Sequence, residues 1–246
     1  MNKNTPEWFK TWFDSPYYSI LYKNRSEEEA ADFIDRLTLF LSLKRHSSVL
    51  DLACGKGRHS IHLRSLGYDV VGVDLSVNSI EEAKKNEKPG LHFETADMRN
   101  FKLGTSFDAI FNLFTSFGYF DKVEDNVKVL ENVHKHLKPE GWFVIDYFNS
   151  SKVKNELISS QEKTIEGVKF LIEKKLEGGF IKKSIQFSDK GKDYHFEERV
   201  QLIEPETLIE WLKSQGFQIV HTFGSYFLDE FDQNESDRFI TISRKR

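Results

Sequence analysis

Three features of this 246-residue chain predict an α/β fold built on a doubly wound, mostly parallel sheet. Short apolar runs alternate with amphipathic helical patterns over residues 46–150, the signature of strand–helix–strand units with right-handed crossovers. The first apolar run ends in a turn with two glycines, Val49-Leu50-Asp51-Leu52-Ala53-Cys54-Gly55-Lys56-Gly57-Arg58. After residue 150 the pattern changes to long half-polar runs, which read as a small antiparallel β lobe inserted after the fifth strand.

In chain order, residues 1–45 form an N-terminal cap and helix. The cap carries Trp8, Phe9, Trp12, Phe13, Tyr17, Tyr18 and Tyr22 among charges. It has no uninterrupted apolar run, so neither a signal peptide nor a membrane span is expected. The tyrosines form either a lid over a bound ligand or the anchor of an arm, since amphipathic aromatics suit both. Ser26-Glu27-Glu28-Glu29 reads as a capping box, and Ala30, Phe33, Ile34, Leu37 and Leu41 follow at helical spacing. Residues 46–150 form a core. Its first strand meets a helix at 57–66 that Gly67 ends. A buried strand at 69–75 closes on Asp74, and Ser76 caps a helix with Val77, Ile80 and Ala83 inward. Pro89-Gly90 breaks the pattern before a third strand at 91–93, and a fourth follows at 107–113. The loop 114–120 is almost wholly aromatic or small. A helix at 121–136 then buries Val123, Val127, Leu130, Val133 and Leu137. Lys138-Pro139-Glu140-Gly141 turns the chain into a fifth strand at 142–146. Residues 151–203 are the insertion, with turns at Glu177-Gly178-Gly179 and 189–193. The last part, 204–246, holds a helix from Pro205 with Leu208, Trp211 and Leu212 inward, then strands at 217–220 and 238–243. The whole, 1–246, reads as a single domain.

The chemistry concentrates in the glycine turn. Gly55 and Gly57 lack a Cβ, so the backbone there can take positive φ and approach a ligand with its N–H groups. Asp51 is positioned to meet a cationic or hydroxyl-bearing group. A dinucleotide fingerprint needs a third glycine where Ser60 stands, and a phosphate-binding P-loop needs a different spacing. Asp74 ends the second strand at about the ~20-residue offset where an acid takes both ribose hydroxyls of an adenosine. The formal net charge of −4 and pI near 6.1 argue against nucleic acid as a partner. Cys54 is the one cysteine, so intrachain disulfides and cysteine-based zinc sites are excluded and a reducing, cytoplasmic setting is expected. His59 and His62 share a helix face without a third ligand, so no metal is expected. The 22 phenylalanines favour an aromatic-lined pocket.

In order and spacing, Val49–Gly57, Val70–Ser76, Ala96–Met98, Phe107–Leu113 and Leu137–Asp146 resemble the motifs of the class I S-adenosylmethionine-dependent methyltransferases. The closing helix and strands resemble that family's final antiparallel hairpin. The resemblance implies a Rossmann-like seven-stranded sheet, S-adenosyl-L-methionine as cofactor and S-adenosyl-L-homocysteine as product. By position, Asp51, Gly55 and Gly57 would hold the methionine portion, Asp74 the ribose, and Leu75 the adenine face, with Ala53 also among the cofactor-binding residues. Asp97 would take the adenine amino group with Met98 beside the ring, and Asn112 or Leu113 would floor the pocket. Two assignments stay open: Arg58 meets the cofactor carboxylate or is a solvated helix-start arginine, and Asp97 has the alternative of a surface turn acid. Asp97-Met98-Arg99 and the 114–120 loop resemble the subgroup of amino-sugar N,N-dimethyltransferases and glycine or sarcosine N-methyltransferases. That resemblance implies a small-molecule acceptor, an amine or a hydroxyl. Tyr17, Phe117, Tyr119 and His195 are the pocket candidates, and no general base is selected. The rival readings are a cofactor-binding protein without transfer activity and a nicotinamide-dependent oxidoreductase. The expected assembly is a monomer or a homodimer through the β-rich lobe, without nucleic acid or membrane.

Overall fold

The computed structural model describes residues 8–23 and 27–246. Ser26 of the expected capping box lies outside the described residues. The helices are α1 (Trp8–Trp12), α2 (Pro16–Leu21), α3 (Glu27–Phe40), α4 (Arg58–Ser65), α5 (Val77–Lys84), α6 (Val123–His136), α7 (Ser150–Glu156) and α8 (Pro205–Ser214). The strands are β1 (Ser48–Leu52), β2 (Asp69–Asp74), β3 (Leu91–Thr95), β4 (Phe107–Asn112), β5 (Leu137–Phe148), β6 (Ser160–Ile165), β7 (Val168–Glu177), β8 (Phe180–Asp189), β9 (Lys192–Gln201), β10 (Phe217–Phe223) and β11 (Arg238–Lys245). Seven of them form one sheet in the order β10-β11-β5-β4-β1-β2-β3, and β6 to β9 form a second sheet as a meander. In the large sheet β1 to β5 run parallel, while β11 is antiparallel to both β5 and β10. The strand order reverses at β1, which lies between β2 and β4. This is the position where an α/β sheet opens a crevice beyond the carboxyl ends of its strands.

Alternation along the strands feeds two cores. Leu50 and Leu52 of β1 pack with α6 and α8 through Val129, Leu130, Leu208 and Leu212. Val49, one residue out of step, packs with Phe33, Ile34 and Leu37 of α3 and with Leu63, Ile80 and Ala83 of α4 and α5. A two-residue side-chain period therefore places helices on both faces. A third core joins the N-terminal arm to the smaller sheet through Trp12, Leu21, Phe170, Ile172, Ile185 and Phe187. The hairpins of that sheet turn at Glu166-Gly167, Gly178-Gly179 and Lys190-Gly191, each with two successive positive φ values. That is the turn chemistry which matches strand twist in a two-residue hairpin.

Two helix faces differ from expectation. Val77 is 50% exposed and Val123 40% exposed, because each is the first residue of its helix and its side chain points back past the end of the sheet. The buried stripe of α6 instead includes Asn126 and Asn132. Asn126 Nδ2 donates to Gln201 Oε1 at 2.8 Å, and Asn132 Nδ2 donates to the carbonyls of Met98 and Phe101. Hydrogen bonding makes these burials tolerable, and a hydrophobic pattern passes over them.

The tightest packing beneath the glycine turn involves Phe93 of β3. A Cβ on Gly57 or on Gly72 would fall 2.6 Å from its ring, and one on Gly72 would also meet Cys54 Sγ at 2.9 Å. Gly72→Ala should therefore destabilise the protein by about 1–3 kcal/mol through overpacking. Adding Phe93→Leu should recover part of that loss in urea melts; no recovery would mean the ring is not the obstacle.

Candidate active site

The turn after β1 is held to β2 by its own backbone. Ala53 N and Cys54 N both donate to the Val73 carbonyl, at 2.8 and 2.9 Å, and Gly57 N donates to the Cys54 carbonyl at 3.0 Å. Ala53, Gly55 and Gly57 all have positive φ, of 67°, 55° and 82°. The two glycines have different tasks. The direction of a Cβ on Gly55 is open space, whereas the same direction on Gly57 is filled by Phe93. Gly55 thus presents bare backbone to a ligand, while Gly57 lets α4 sit close to the sheet. Close helix–sheet packing is the task of the third glycine in a dinucleotide turn.

Ser60, which stands at that third position, serves the acid instead. Its hydroxyl donates to Asp51 Oδ2 at 2.6 Å, and both residues are buried. Burial pushes the Asp51 carboxyl up to about 6; Ser60 opposes this and the nearby Asp74 charge adds to it. Asp74 accepts Gly55 N on Oδ2 and Ser76 N on Oδ1, both at 2.8 Å. Burial raises its carboxyl too, against those backbone donors. Cys54 is buried beside them, and desolvation pushes its thiol well up. It is a packed apolar side chain, not an activated thiolate.

These groups border a cavity of about 370 Å³. Ala53, Gly55, Arg58, Asp74, Leu75, Asp97, Met98, Leu113 and Tyr119 of the expected site residues line it. Asp51, Gly57 and Asn112 stand behind the lining, Asn112 donating from Nδ2 to the Leu52 carbonyl at 3.0 Å. Three acceptor-side candidates lie elsewhere. Phe117 is fully buried in the main core. The Tyr17 hydroxyl donates to Asp189 Oδ2 at 2.7 Å and its ring packs on Phe187 and Tyr194, so it anchors the arm to the smaller sheet. His195 meets Ser184 on that sheet's exposed surface, 3.0 Å away. Tyr18 and Tyr22, by contrast, line the cavity. The tyrosine cluster therefore divides between anchor and wall.

Sequence reasoning missed several neighbours. Asp97 is held bidentately by Arg99, whose Nη2 donates to Oδ2 at 2.6 Å and whose Nε donates to Oδ1 at 3.0 Å, with the guanidinium over the Phe120 ring. His59 stacks on Phe114, 4.9 Å between centroids, while His62 meets Asp35 at 2.7 Å. The two imidazoles thus serve different neighbours. Among the described residues no group of His, Cys, Asp and Glu side chains is arranged to hold a metal.

A buried ion pair fixes the loop after β4. Asp146 of β5 accepts Arg238 Nη2 at 2.6 Å and Nε at 2.7 Å on Oδ1, and Phe114 N at 2.7 Å on Oδ2. The Asp146 carbonyl accepts Thr115 N, and Arg238 Nη2 also donates to Thr115 Oγ1. Phe114 and Thr115 are consecutive non-glycine residues with φ of 56° and 58°, a conformation that costs on the order of 1–3 kcal/mol per residue unless its surroundings impose it. Phe114 and Ser116 are thereby turned into the cavity wall.

A glycine turn and buried acids at the reversal point of a parallel sheet define an α/β protein that holds a nucleoside-type cofactor. The lining combines Asp74, Asp97 and the bare backbone of Gly55 with the apolar side chains of Leu75 and Met98, a donor set compatible with S-adenosylmethionine. Residues 43–201 match a family described as methyltransferase domain, and the chain belongs to that family. It is a methyltransferase of that family. It is 29% identical over 195 residues to dTDP-3-amino-3,4,6-trideoxy-alpha-D-glucopyranose N,N-dimethyltransferase of Streptomyces venezuelae, covering 76% of this chain and 81% of the relative. A glycine/sarcosine N-methyltransferase of Aphanothece halophytica is 29% identical over 236 residues, 92% of this chain and 85% of the relative. In fold, the crystal structure of an S-adenosylmethionine-dependent methyltransferase from Clostridium acetobutylicum matches with a TM-score of 0.79 at 21% identity, covering 93% of this chain and 96% of that one. No helix among the described residues is long and apolar enough to cross a membrane.

Two expectations follow. With its carboxyl near 6 when folded, against 3.8 ordinarily, Asp51 holds its proton more tightly in the native state. Its contribution then worsens as pH rises from about 4 to 6, by about 3 kcal/mol in all. Asp51→Asn should gain about that much relative to the parent between pH 4 and pH 7, read from urea melts; a pH-independent difference would contradict the shift. Arg238→Gln should destabilise the protein by about 3–5 kcal/mol by leaving Asp146 buried without its partner, and the double variant with Asp146→Asn should lose less.

Proposed function

We propose that the cavity beyond the carboxyl ends of β1 and β2 holds S-adenosylmethionine, and that the chain methylates a small amine or hydroxyl acceptor entering beside the loop 114–120. The observation that carries this reading is the mixed lining of one cavity, in which Asp74 and the bare backbone of Gly55 share the wall with the rings of Phe114, Tyr119, Tyr18 and Phe13. Gly55, Ala53 and Arg58 would hold the methionine portion from the front and Asp51 from behind. Asp74 would take the ribose, and Leu75, Met98 and Asp97 the adenine. The cofactor supplies a methyl group on a cationic sulfur that needs no further activation. The protein's part is then orientation and exclusion of water. The aromatic wall also favours positive charge through the faces of its rings. The named activities of the sugar and glycine relatives support an amine as the nucleophile. The sheet β6–β9 fits either a monomer or a homodimer joined through it, and the single cysteine supports a reducing compartment.

Calorimetric titration is the direct test. S-adenosylmethionine and S-adenosylhomocysteine should bind, and NAD and NADP should not. Asp74→Ala should weaken S-adenosylhomocysteine by about 1–3 kcal/mol, the range for a lost charged hydrogen bond. Undiminished affinity in a folded Asp74→Ala protein would remove the ribose assignment. Turnover is then measured with glycine, sarcosine and dTDP-linked amino sugars; binding without transfer to any amine or hydroxylated acceptor would favour a cofactor-binding protein that lacks the reaction.

A further inference from the structure

No residue of β6–β9 lines the cavity. Their connection to it runs through the arm that holds α1 and α2. On one side the arm supplies Phe9, Phe13, Tyr18, Ser19, Tyr22 and Lys23 to the cavity wall. On the other, Trp12 and Leu21 share a core with the sheet. One polar junction ties the two. Glu198 of β9 accepts Trp12 Nε1 at 2.7 Å and the Tyr22 hydroxyl at 2.6 Å, both on Oε1, and Lys183 Nζ at 3.2 Å on Oε2. Lys183 also donates to the Tyr22 oxygen and lies over its ring. The Glu198 and Lys183 side chains are only 15% and 13% exposed, so the junction is shielded from competing water. The arm's opposite edge meets the large sheet, where Ser76 Oγ donates to Asp14 Oδ1 and Trp8 and Phe13 pack on Tyr119.

We propose that Glu198 is a positioning residue: it fixes Tyr22 and Trp12 so that the arm closes over the cofactor, which makes the smaller sheet the clamp of the active site. This rests on the cavity being the cofactor's site. Removing the carboxylate leaves an indole N–H, a phenol and an ammonium without their acceptor, and the arm loses its register on the sheet while the large sheet keeps its own core.

The test measures S-adenosylhomocysteine affinity by calorimetry and its dissociation rate by stopped flow, and needs no acceptor. Glu198→Ala should bind it about 10-fold or more weakly, chiefly through faster dissociation. Glu198→Gln, which keeps an oxygen for Trp12 and Tyr22, should recover part of the loss. Glu162→Ala breaks an exposed pair with Lys169 on the same sheet and should leave both quantities unchanged. A merely structural role would lower the melting temperature of Glu198→Ala yet leave the affinity and off-rate of the folded protein at the parent values, and that result overturns the proposal. Should Glu198→Ala not fold, Glu198→Gln and Lys183→Met are judged by the same criterion. Weakening by Asp74→Ala with no effect at Glu198 overturns the clamp alone; no effect from either variant overturns the site reading and the clamp with it.

Discussion

Two carboxylates, Asp51 fully buried and Asp74 half-buried, share one end of the parallel sheet, and much of the local structure exists to make that tolerable. A charge taken out of water is costly unless hydrogen bonds or an opposite charge replace the solvent. Asp74 has the N–H groups of Gly55 and Ser76, and Asp51 has the Ser60 hydroxyl. The compensation is incomplete, since both carboxyls remain raised by desolvation. A cationic ligand entering the cavity relieves part of this cost, so some of its affinity comes from a free protein that is electrostatically dissatisfied. This accounts for a serine at 60, where a third glycine would leave Asp51 without its donor, while the glycine at 55 answers to a φ of 55° and to the open space in front of it.

The same end of the sheet has to be dry, and aromatic side chains achieve this from three directions. Phe93 fills the space beneath the turn, against Gly57 and Gly72. Phe114 and Tyr119 form the wall after β4, with Tyr119 donating its hydroxyl back to the Thr115 carbonyl at 2.5 Å. The arm supplies Phe9, Phe13 and Tyr18. These rings have a local task, because a site built from half-compensated acids depends on low-dielectric walls to keep its fields from being screened.

Much of this was legible in the sequence because it obeys short-range rules. The order of strands and helices, the turn at 53–57, Asp74 at the end of β2 and the final antiparallel pair all follow from periodicity, glycine placement and motif spacing. What was not legible depends on contacts between distant segments. Phe117 reads like its neighbours in the 114–120 loop, yet it turns into the core while Phe114 faces the cavity, because Asp146 and Arg238 impose left-handed backbone on the intervening turn. Tyr17 and Tyr18 are adjacent in sequence, yet Tyr17 packs on Phe187 and Tyr194 of the smaller sheet and Tyr18 lines the cavity, since a helical step of one residue rotates a side chain by about 100°. His195 is polar on a strand with one wet face, and nothing local distinguishes such a residue from one in a pocket. In the sequence Ser60 reads only as a missing glycine, because its value lies in Asp51, to which it donates across the turn.

The Asp146–Arg238 pair and the Glu198 junction solve one problem for two segments that line the cavity, the loop after β4 and the N-terminal arm. Each is a carboxylate, Asp146 fully and Glu198 largely removed from solvent, that gathers donors from segments far apart in sequence: Phe114 and Arg238 in the first case, Trp12, Tyr22 and Lys183 in the second. Neither lies in the glycine turn, and each fixes a segment that the turn does not reach. Buried ionic junctions are a poor source of net stability, since desolvation offsets most of the attraction. Their strength is in direction, because a carboxylate with several fixed donors admits few alternative arrangements of the chains that supply them. A transfer reaction that depends on alignment more than on acid–base chemistry benefits from walls held in this way, and the sheet motif alone, which is shared with proteins of other chemistries, does not supply them.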